Sequence, residues 1–432
     1  MNEVTRCPRI SITLPLSYPL FNNSFKGAFG GWEVRISLVA RELAKRGRLE
    51  TFVIVGDYGQ PHLESIDGVN LISWLNRDIW GIPPRRNQNS ILSWNPFPYD
   101  SIPYTLLHRA QKSASAAIDA YSPGSGFDYV GNFRVLQKNI AIYDEIDADI
   151  YIVPGNSFFS AEAASYCAKK GKKYVFLSGS DMDYYPEFKD DPNGRDIYGV
   201  PHSVKHYCIR QADAHIVQTE RQAKMLYDAY HRSSVVVKNP IDIRQKFERN
   251  LNPRSILWVG KSDERVKRPS LALELARRMP EFQFIMIMNA VNVKAQVESV
   301  RQAGKLPNIT LIDHVPFEEI ESYFAIAWVH LNTSAFEGFP NTYLQAAKYG
   351  VPTVSMNVDP DGMLSHYSCG LVCGENLNQC EKGIRQLMRD DDMYAKLSHN
   401  SLEYVREHHD KDNAAQKYEQ ALKAVLSKGR IE

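Results

Sequence analysis

Short apolar, β-rich runs alternate along the chain with longer stretches of helical period, the pattern of parallel α/β units. In the first half the pattern predicts strands starting at Ile10, Thr51, Asp149, Lys173, Ala214 and Val235. Helices fit between several of them, at Glu33 to Arg46, Ala161 to Lys170, Val204 to Gln211 and Arg221 to Ala229. In the second half strands are predicted from Ser255, Phe282, Asn308, Trp328 and Pro352, again with helical periods between them.

Two stretches break this rhythm. Residues 73–147 are rich in Pro, Trp, Tyr, Asn and Arg and have few clean strands, which predicts an irregular insert on a first domain of residues 1–245. The polar segment 241–254 lies between two strands and is the candidate linker to a second domain of residues 250–405. The last thirty or so residues read as amphipathic helix. Two open α/β sheets joined by a linker imply a cleft, with ligands at the carboxyl ends of the strands. Residues that matter for function are therefore expected in loops that directly follow strands.

Composition narrows the classes. At 432 residues the chain exceeds one ordinary core, so two domains are expected. With 44% hydrophobic and 23% charged residues it has the balance of a globular enzyme. A formal net charge of +1, spread over both halves, argues against a nucleic-acid binder. The six cysteines are scattered, pointing to a reducing intracellular compartment. No signal peptide and no membrane-spanning apolar run is read, so a cytoplasmic location is expected, with peripheral contact at the inner face of the membrane left open.

The most informative stretch starts at Ser334 and reads Ala-Phe-Glu337-Gly338-Phe339-Pro340-Asn341-Thr342-Tyr-Leu-Gln345-Ala-Ala-Lys-Tyr-Gly350-Val-Pro-Thr-Val. It follows a predicted strand, supplies a loop, opens a helix near Asn341 or Thr342 and stops it at Gly350. A helix N-terminus placed there is an anion site suited to a diphosphate, because free N–H groups and the helix dipole face the ligand. Glu337 beside a phosphate site makes sense as an acceptor of sugar hydroxyls that also stabilises positive charge at the anomeric carbon. Gln345 lies one turn after Asn341 and shares its face.

Glu337-Gly-Phe-Pro-Asn, Gln345-Ala and Gly350-Val-Pro resemble the signature of glycosyltransferase family 4. The resemblance implies a GT-B fold: two Rossmann-like domains facing a cleft, with residues 406–432 forming a C-terminal helix that crosses back to the first domain. It implies a retaining transfer from a nucleotide-diphosphate sugar without a metal. In that family two glutamates eight positions apart flank the loop and helix. Glu337 matches the first, whereas Gln345 stands at the second, which holds the ribose hydroxyls. A glutamine offers one acceptor oxygen and no charge.

Other segments extend the likeness. Gly260-Lys261 through Lys267-Arg268-Pro269 resembles the family's phosphate-binding segment, with Lys261 and either Lys267 or Arg268 as its two cations. A leaving diphosphate gains charge as the glycosidic bond breaks, and fixed cations stabilise it. Gly30 and Gly31 resemble the Gly-Gly loop whose backbone approaches the donor phosphate and the acceptor. Cys208 to Glu220 and Lys238-Asn-Pro-Ile-Asp242 resemble the family's first-domain ending and are read as architecture. Val315 is a further donor-side candidate, along with Gly338, Phe339, Pro340, Asn341 and Thr342. Ser178 stands where the family often has a histidine aimed at the donor sugar.

Several weaker signals are set aside. Asp181-Met-Asp183 is a DxD pattern of the kind that holds a metal in the other large glycosyltransferase fold. Cys369, Cys373 and Cys380 lack a zinc-ligand pattern and are read as buried thiols. His202 and His206 are read as packing or surface residues, and Lys169, Lys170, Lys172 and Lys173 as a helix C-terminal charge cluster. The expected partners are a nucleotide-sugar donor and a glycan, lipid-linked or small-molecule acceptor. Two rival readings are kept: a sugar-nucleotide epimerase, and a non-catalytic nucleotide-sugar or glycan-binding module.

Overall fold

A computed structural model describes residues 6–25, 29–74, 137–196, 199–244, 247–249, 253–290, 293–313 and 315–428. The chain forms two compact units: one of Met1–Val217, Gln222–Val237 and Ala415–Glu432, the other of Gln218–Arg221 and Lys238–Ala414.

The first unit is built on an eight-stranded sheet in the order β3-β4-β2-β1-β5-β6-β7-β8. Its strands are β1 (Arg9–Thr13), β2 (Glu50–Val55), β3 (Leu63–Ile66), β4 (Val69–Ser73), β5 (Ile150–Pro154), β6 (Lys173–Leu177), β7 (Ala214–Val217) and β8 (Val235–Val236). All neighbours run parallel except β3 against β4. The β3–β4 hairpin went unread in the sequence although its signal is present. Asp67 and Gly68 form its turn with φ of 54° and 77°, the left-handed pair that a two-residue hairpin loop requires. Chain order reverses between β1 and β5, which lie side by side. Most of the expected insert, residues 75–136, lies outside the described residues, whereas Gln137–Ile146 forms a helix.

The second unit holds a six-stranded parallel sheet in the order β11-β10-β9-β12-β13-β14. Its strands are β9 (Ser255–Lys261), β10 (Gln283–Asn289), β11 (Ile309–Ile312), β12 (Val329–Asn332), β13 (Thr353–Ser355) and β14 (Gly370–Val372). Every residue of β12 and β13 is buried, as expected of a parallel sheet covered on both faces. Here the order reverses between β9 and β12.

The segment expected as a linker is tied into the second unit. The Phe247 amide donates to the Tyr349 hydroxyl at 3.0 Å, and Arg249 Nη2 donates to Ala327 O at 3.2 Å. The chain ends in the helix Lys411–Lys428, which is counted with the first unit from Ala415 onward. Within that unit Glu419 pairs with Arg46 at 3.7 Å and Arg48 at 3.1 Å. Among the described residues no helix is long and apolar enough to cross a membrane.

Candidate active site

In the second unit the sheet order reverses between β9 and β12, so the loops leaving these two strands border the crevice where open α/β sheets bind ligands. Lys261 ends β9 and the loop after it carries Lys267 and Arg268; the β12 loop carries Glu337 and the residues after it.

A hydrogen-bond lattice fastens the two loops together. The Ala335 amide donates to Val266 O at 2.8 Å. Thr333 Oγ1 donates to Lys267 O at 2.6 Å and accepts from Trp258 Nε1 at 2.8 Å. Asp263 shapes the turn from within, since its carboxylate accepts from the amides of Arg265 at 2.9 Å and Val266 at 3.3 Å. The consequence is an ion pair between Lys267 Nζ and Glu337 Oε1. The side chains are only 21% and 18% exposed, so this is a largely desolvated pair with an opening to solvent. Ser334 Oγ donates to the same oxygen at 2.9 Å and fixes the carboxylate. Lys261 closes β9 in register with Asn289 and is half-buried.

Arg268 has a role that the sequence did not reveal. Its backbone is left-handed, with φ of 50°, immediately before the helix Pro269–Arg278. Its guanidinium donates to Thr333 O at 2.7 Å and Ser334 O at 3.0 Å, and forks onto the Glu375 carboxylate at 2.7 and 3.1 Å. Arg268 thus ties the β9 loop to the β12 loop and to the turn after β14.

The helix Asn341–Lys348 starts at Pro340, which supplies no side-chain cap, and the Tyr343 amide donates to Pro340 O at 3.1 Å. Among the described residues Thr342 Oγ1 has no hydrogen-bond partner, and it is buried. Gly338, Phe339 and Pro340 are buried, and Phe339 packs in a core cluster with Ile241, Tyr343 and Tyr404. Gln345 is half-buried on that helix. Val315 lies after β11 with its side chain in the apolar cluster of Leu257, Ile287 and Phe324.

Sequence reading missed Asn239, which was assigned to architecture. Its Nδ2 donates to Phe339 O at 3.0 Å and to Asn341 Oδ1 at 3.3 Å, holding the Gly338–Asn341 turn from beneath. His409 Nδ1 in turn donates to Asn239 O at 2.7 Å, and its ring lies 4.8 Å from that of Phe339. Burial holds the His409 imidazole down at about 3. Burial, with Lys267 nearby, holds His330 of β12 at about 3 as well. Nothing local in the sequence marks Asn239, since its partners lie a hundred residues downstream.

The first unit accounts for the remaining candidates. Gly30 precedes the helix Gly31–Arg46, and its amide donates to Glu33 Oε2 at 2.7 Å. Ser178 is fully buried, and its carbonyl accepts from Arg35 Nη2 at 2.8 Å. Asp183 is not a free carboxylate. It accepts from the amides of Gly179 at 2.6 Å, Ser180 at 2.9 Å and Asn156 at 3.2 Å. Asp181 accepts from Gln222 Nε2 at 3.1 Å. Among the described residues no group of three or more His, Cys, Asp or Glu is arranged to hold a metal. Cys369, Cys373 and Cys380 are buried free thiols, and His202 Nδ1 donates to Asp191 O at 2.8 Å.

The chain is similar in sequence and fold to known proteins. Residues 240–404, which contain the β9 and β12 loops, match the family model described as Glycosyl transferases group 1. Over 170 residues, 37% of this chain, the sequence is 28% identical to a lipopolysaccharide 1,6-galactosyltransferase of Salmonella typhimurium and covers 46% of it. The chain spans about half the length of the curated relatives it matches. In structure it is similar to a sucrose-phosphate synthase of Thermosynechococcus elongatus, with a TM-score of 0.69 at 13% identity over 97% of this chain and 99% of that one. It is also similar to the apo form of a lipopolysaccharide outer core galactosyltransferase, with a TM-score of 0.56 at 16% identity over 96% and 99% of the two chains. The fold is therefore the two-sheet GT-B type, and residues 240–404 are similar to the group 1 glycosyl transferases.

Proposed function

We propose that this protein is a metal-independent, retaining glycosyltransferase resembling family 4, which moves a hexose from a nucleotide-diphosphate sugar to a glycan, lipid-linked or small-molecule acceptor. The observation that carries this reading is the Lys267–Glu337 pair at the switch point of the second sheet, beside the uncapped start of the Asn341–Lys348 helix. A cation, a helix start and a carboxylate within one pair of loops suit a sugar bonded to a diphosphate.

In the proposed reaction the bond between the anomeric carbon and the phosphate oxygen breaks, and its electron pair leaves with the nucleoside diphosphate. Lys261, Lys267 and the first-turn amides of the Asn341–Lys348 helix stabilise the charge that develops there. The acceptor oxygen bonds to the same face of the anomeric carbon, and its proton passes to the departing phosphate. Glu337 accepts from sugar hydroxyls and offsets positive charge on the ring. No protein nucleophile is invoked. The lysines take the part that a divalent cation plays elsewhere, a view favoured by the commitment of the Asp183 carboxylate to three backbone amides. We place the enzyme in the cytoplasm, where nucleotide sugars are supplied.

The test is product analysis with UDP-, GDP- and ADP-hexoses in the presence of a glycan acceptor pool. Release of nucleoside diphosphate with a glycosylated product supports transfer. Interconversion of sugar stereoisomers without transfer indicates an epimerase, and nucleotide-sugar binding without any turnover indicates a binding module.

A further inference from the structure

The first unit has its own switch point, between β1 and β5, and one aromatic side chain sits on it. Trp32 lies in the first turn of the helix Gly31–Arg46, between β1 and β2. Gly155 directly follows β5, and Gly179 lies in the loop after β6. A Cβ atom on Gly155 would fall 2.6 Å from Trp32 Cζ3, and one on Gly179 would fall 3.0 Å from Trp32 Cε3. Both loops therefore receive the six-membered ring of the indole in close contact, tighter at Gly155 than a side chain there would allow without a shift, and φ of +71° further restricts Gly155.

Single exposed hydrophobic residues are ordinary on protein surfaces. Trp32 differs in being wedged by two glycines while remaining 37% exposed, so its ring is both fixed and open. It also stands where ligands of open α/β sheets bind.

We propose that Trp32, seated on Gly155 and Gly179, is a stacking floor for a pyranose ring of the acceptor. This rests on the transferase reading above, which supplies the acceptor. The chemistry follows from the ring. One face of a pyranose presents C–H groups to the negative face of an indole, while its hydroxyls remain free for polar partners. A rigid tryptophan gives that contact at little cost in conformational entropy, since only two side-chain torsions need be fixed.

The test uses the full chain and methyl α- and β-glycosides of glucose, galactose and N-acetylglucosamine, with binding followed by saturation-transfer NMR. At least one glycoside is expected to bind wild type through its C–H face. Trp32→Ala is expected to weaken that binding about tenfold, the scale of losing one aromatic stacking partner. Trp32→Phe should be intermediate. Gly179→Ala, which pushes the ring aside without removing it, should also weaken binding. Thermal melting of each variant establishes that it is folded. Equal affinity in wild type and Trp32→Ala overturns the proposal, as does failure of wild type to bind any of the glycosides. If Trp32→Ala instead removes contacts to the base protons of UDP, GDP or ADP, the floor serves a nucleobase and the proposal is wrong. Failure of the transferase reading is seen separately, as absence of nucleotide-sugar turnover by wild type.

Discussion

Lys267 and Glu337, seventy positions apart in sequence, form an ion pair that links the loop after β9 to the loop after β12. Each residue occupies the other's charge at the place where the proposed donor would bind. The pair lowers the cost of holding two partly desolvated charges before a ligand arrives. It also means that a diphosphate must compete with Glu337 for the lysine.

That competition sets the sign of two substitutions. Glu337→Gln removes the competitor and should bind free nucleoside diphosphate several-fold more tightly, even as turnover falls. Lys267→Met should bind it about tenfold or more weakly, because one charge-assisted contact is lost. Calorimetric titration of both variants with UDP, GDP and ADP checks this. Weaker binding by Glu337→Gln would show that the carboxylate does not oppose the phosphate.

Arg268 acts on position and not on charge alone. Lysine cannot reproduce a planar fork that reaches two carbonyls and a carboxylate. Arg268→Lys should therefore cost about 2 kcal/mol of stability and raise the donor KM. Glu375→Gln should cost less than about 1 kcal/mol, because the Glu375 side chain is 46% exposed. Denaturant melts of the two variants separate these outcomes.

Asp183 is expected to be a structural residue. Asp183→Asn trades a charged acceptor of three amides for a carboxamide and should lose about 1–3 kcal/mol of stability. Mg²⁺ and Mn²⁺ should not change the wild-type melting temperature. A metal-dependent rise that Asp183→Asn abolishes would contradict this.

His330 and His409 predict the acid limit. Burial lowers each to about 3, against an ordinary value near 6.5 when unfolded. Between these values the unfolded chain binds more protons than the folded one. The stability is thus present above about pH 6.5 and is lost as pH falls towards 3, by at most about 1.4 kcal/mol per pH unit for each histidine. His330→Phe should flatten that dependence, as measured by melting temperature from pH 7 to 4.

The sequence carried the strand rhythm because parallel strands buried on both faces are written as apolar runs, as in Ile150–Pro154 and Val329–Asn332. It did not announce β14, whose Gly370-Leu-Val is too short to show a period. The Glu337 and Lys267 segments were legible because each follows its strand directly. Arg268 looked like a second phosphate cation, since a sequence does not say which basic residue of a pair turns towards backbone carbonyls. Asn239 and Trp32 were not legible as candidates for a related reason. Their contacts are with Phe339 for the one, and with Gly155 and Gly179 for the other, all distant in sequence.

The most direct test of the proposed transfer is the rate of nucleotide release from UDP-, GDP- and ADP-hexoses, with and without EDTA, for wild type and Glu337→Ala. Wild type should release the nucleoside diphosphate of one donor at a rate that EDTA leaves unchanged. Glu337→Ala should be slower by about two to three powers of ten, the scale of losing one transition-state charge contact. Release that disappears with EDTA, or that continues undiminished in Glu337→Ala, would contradict it.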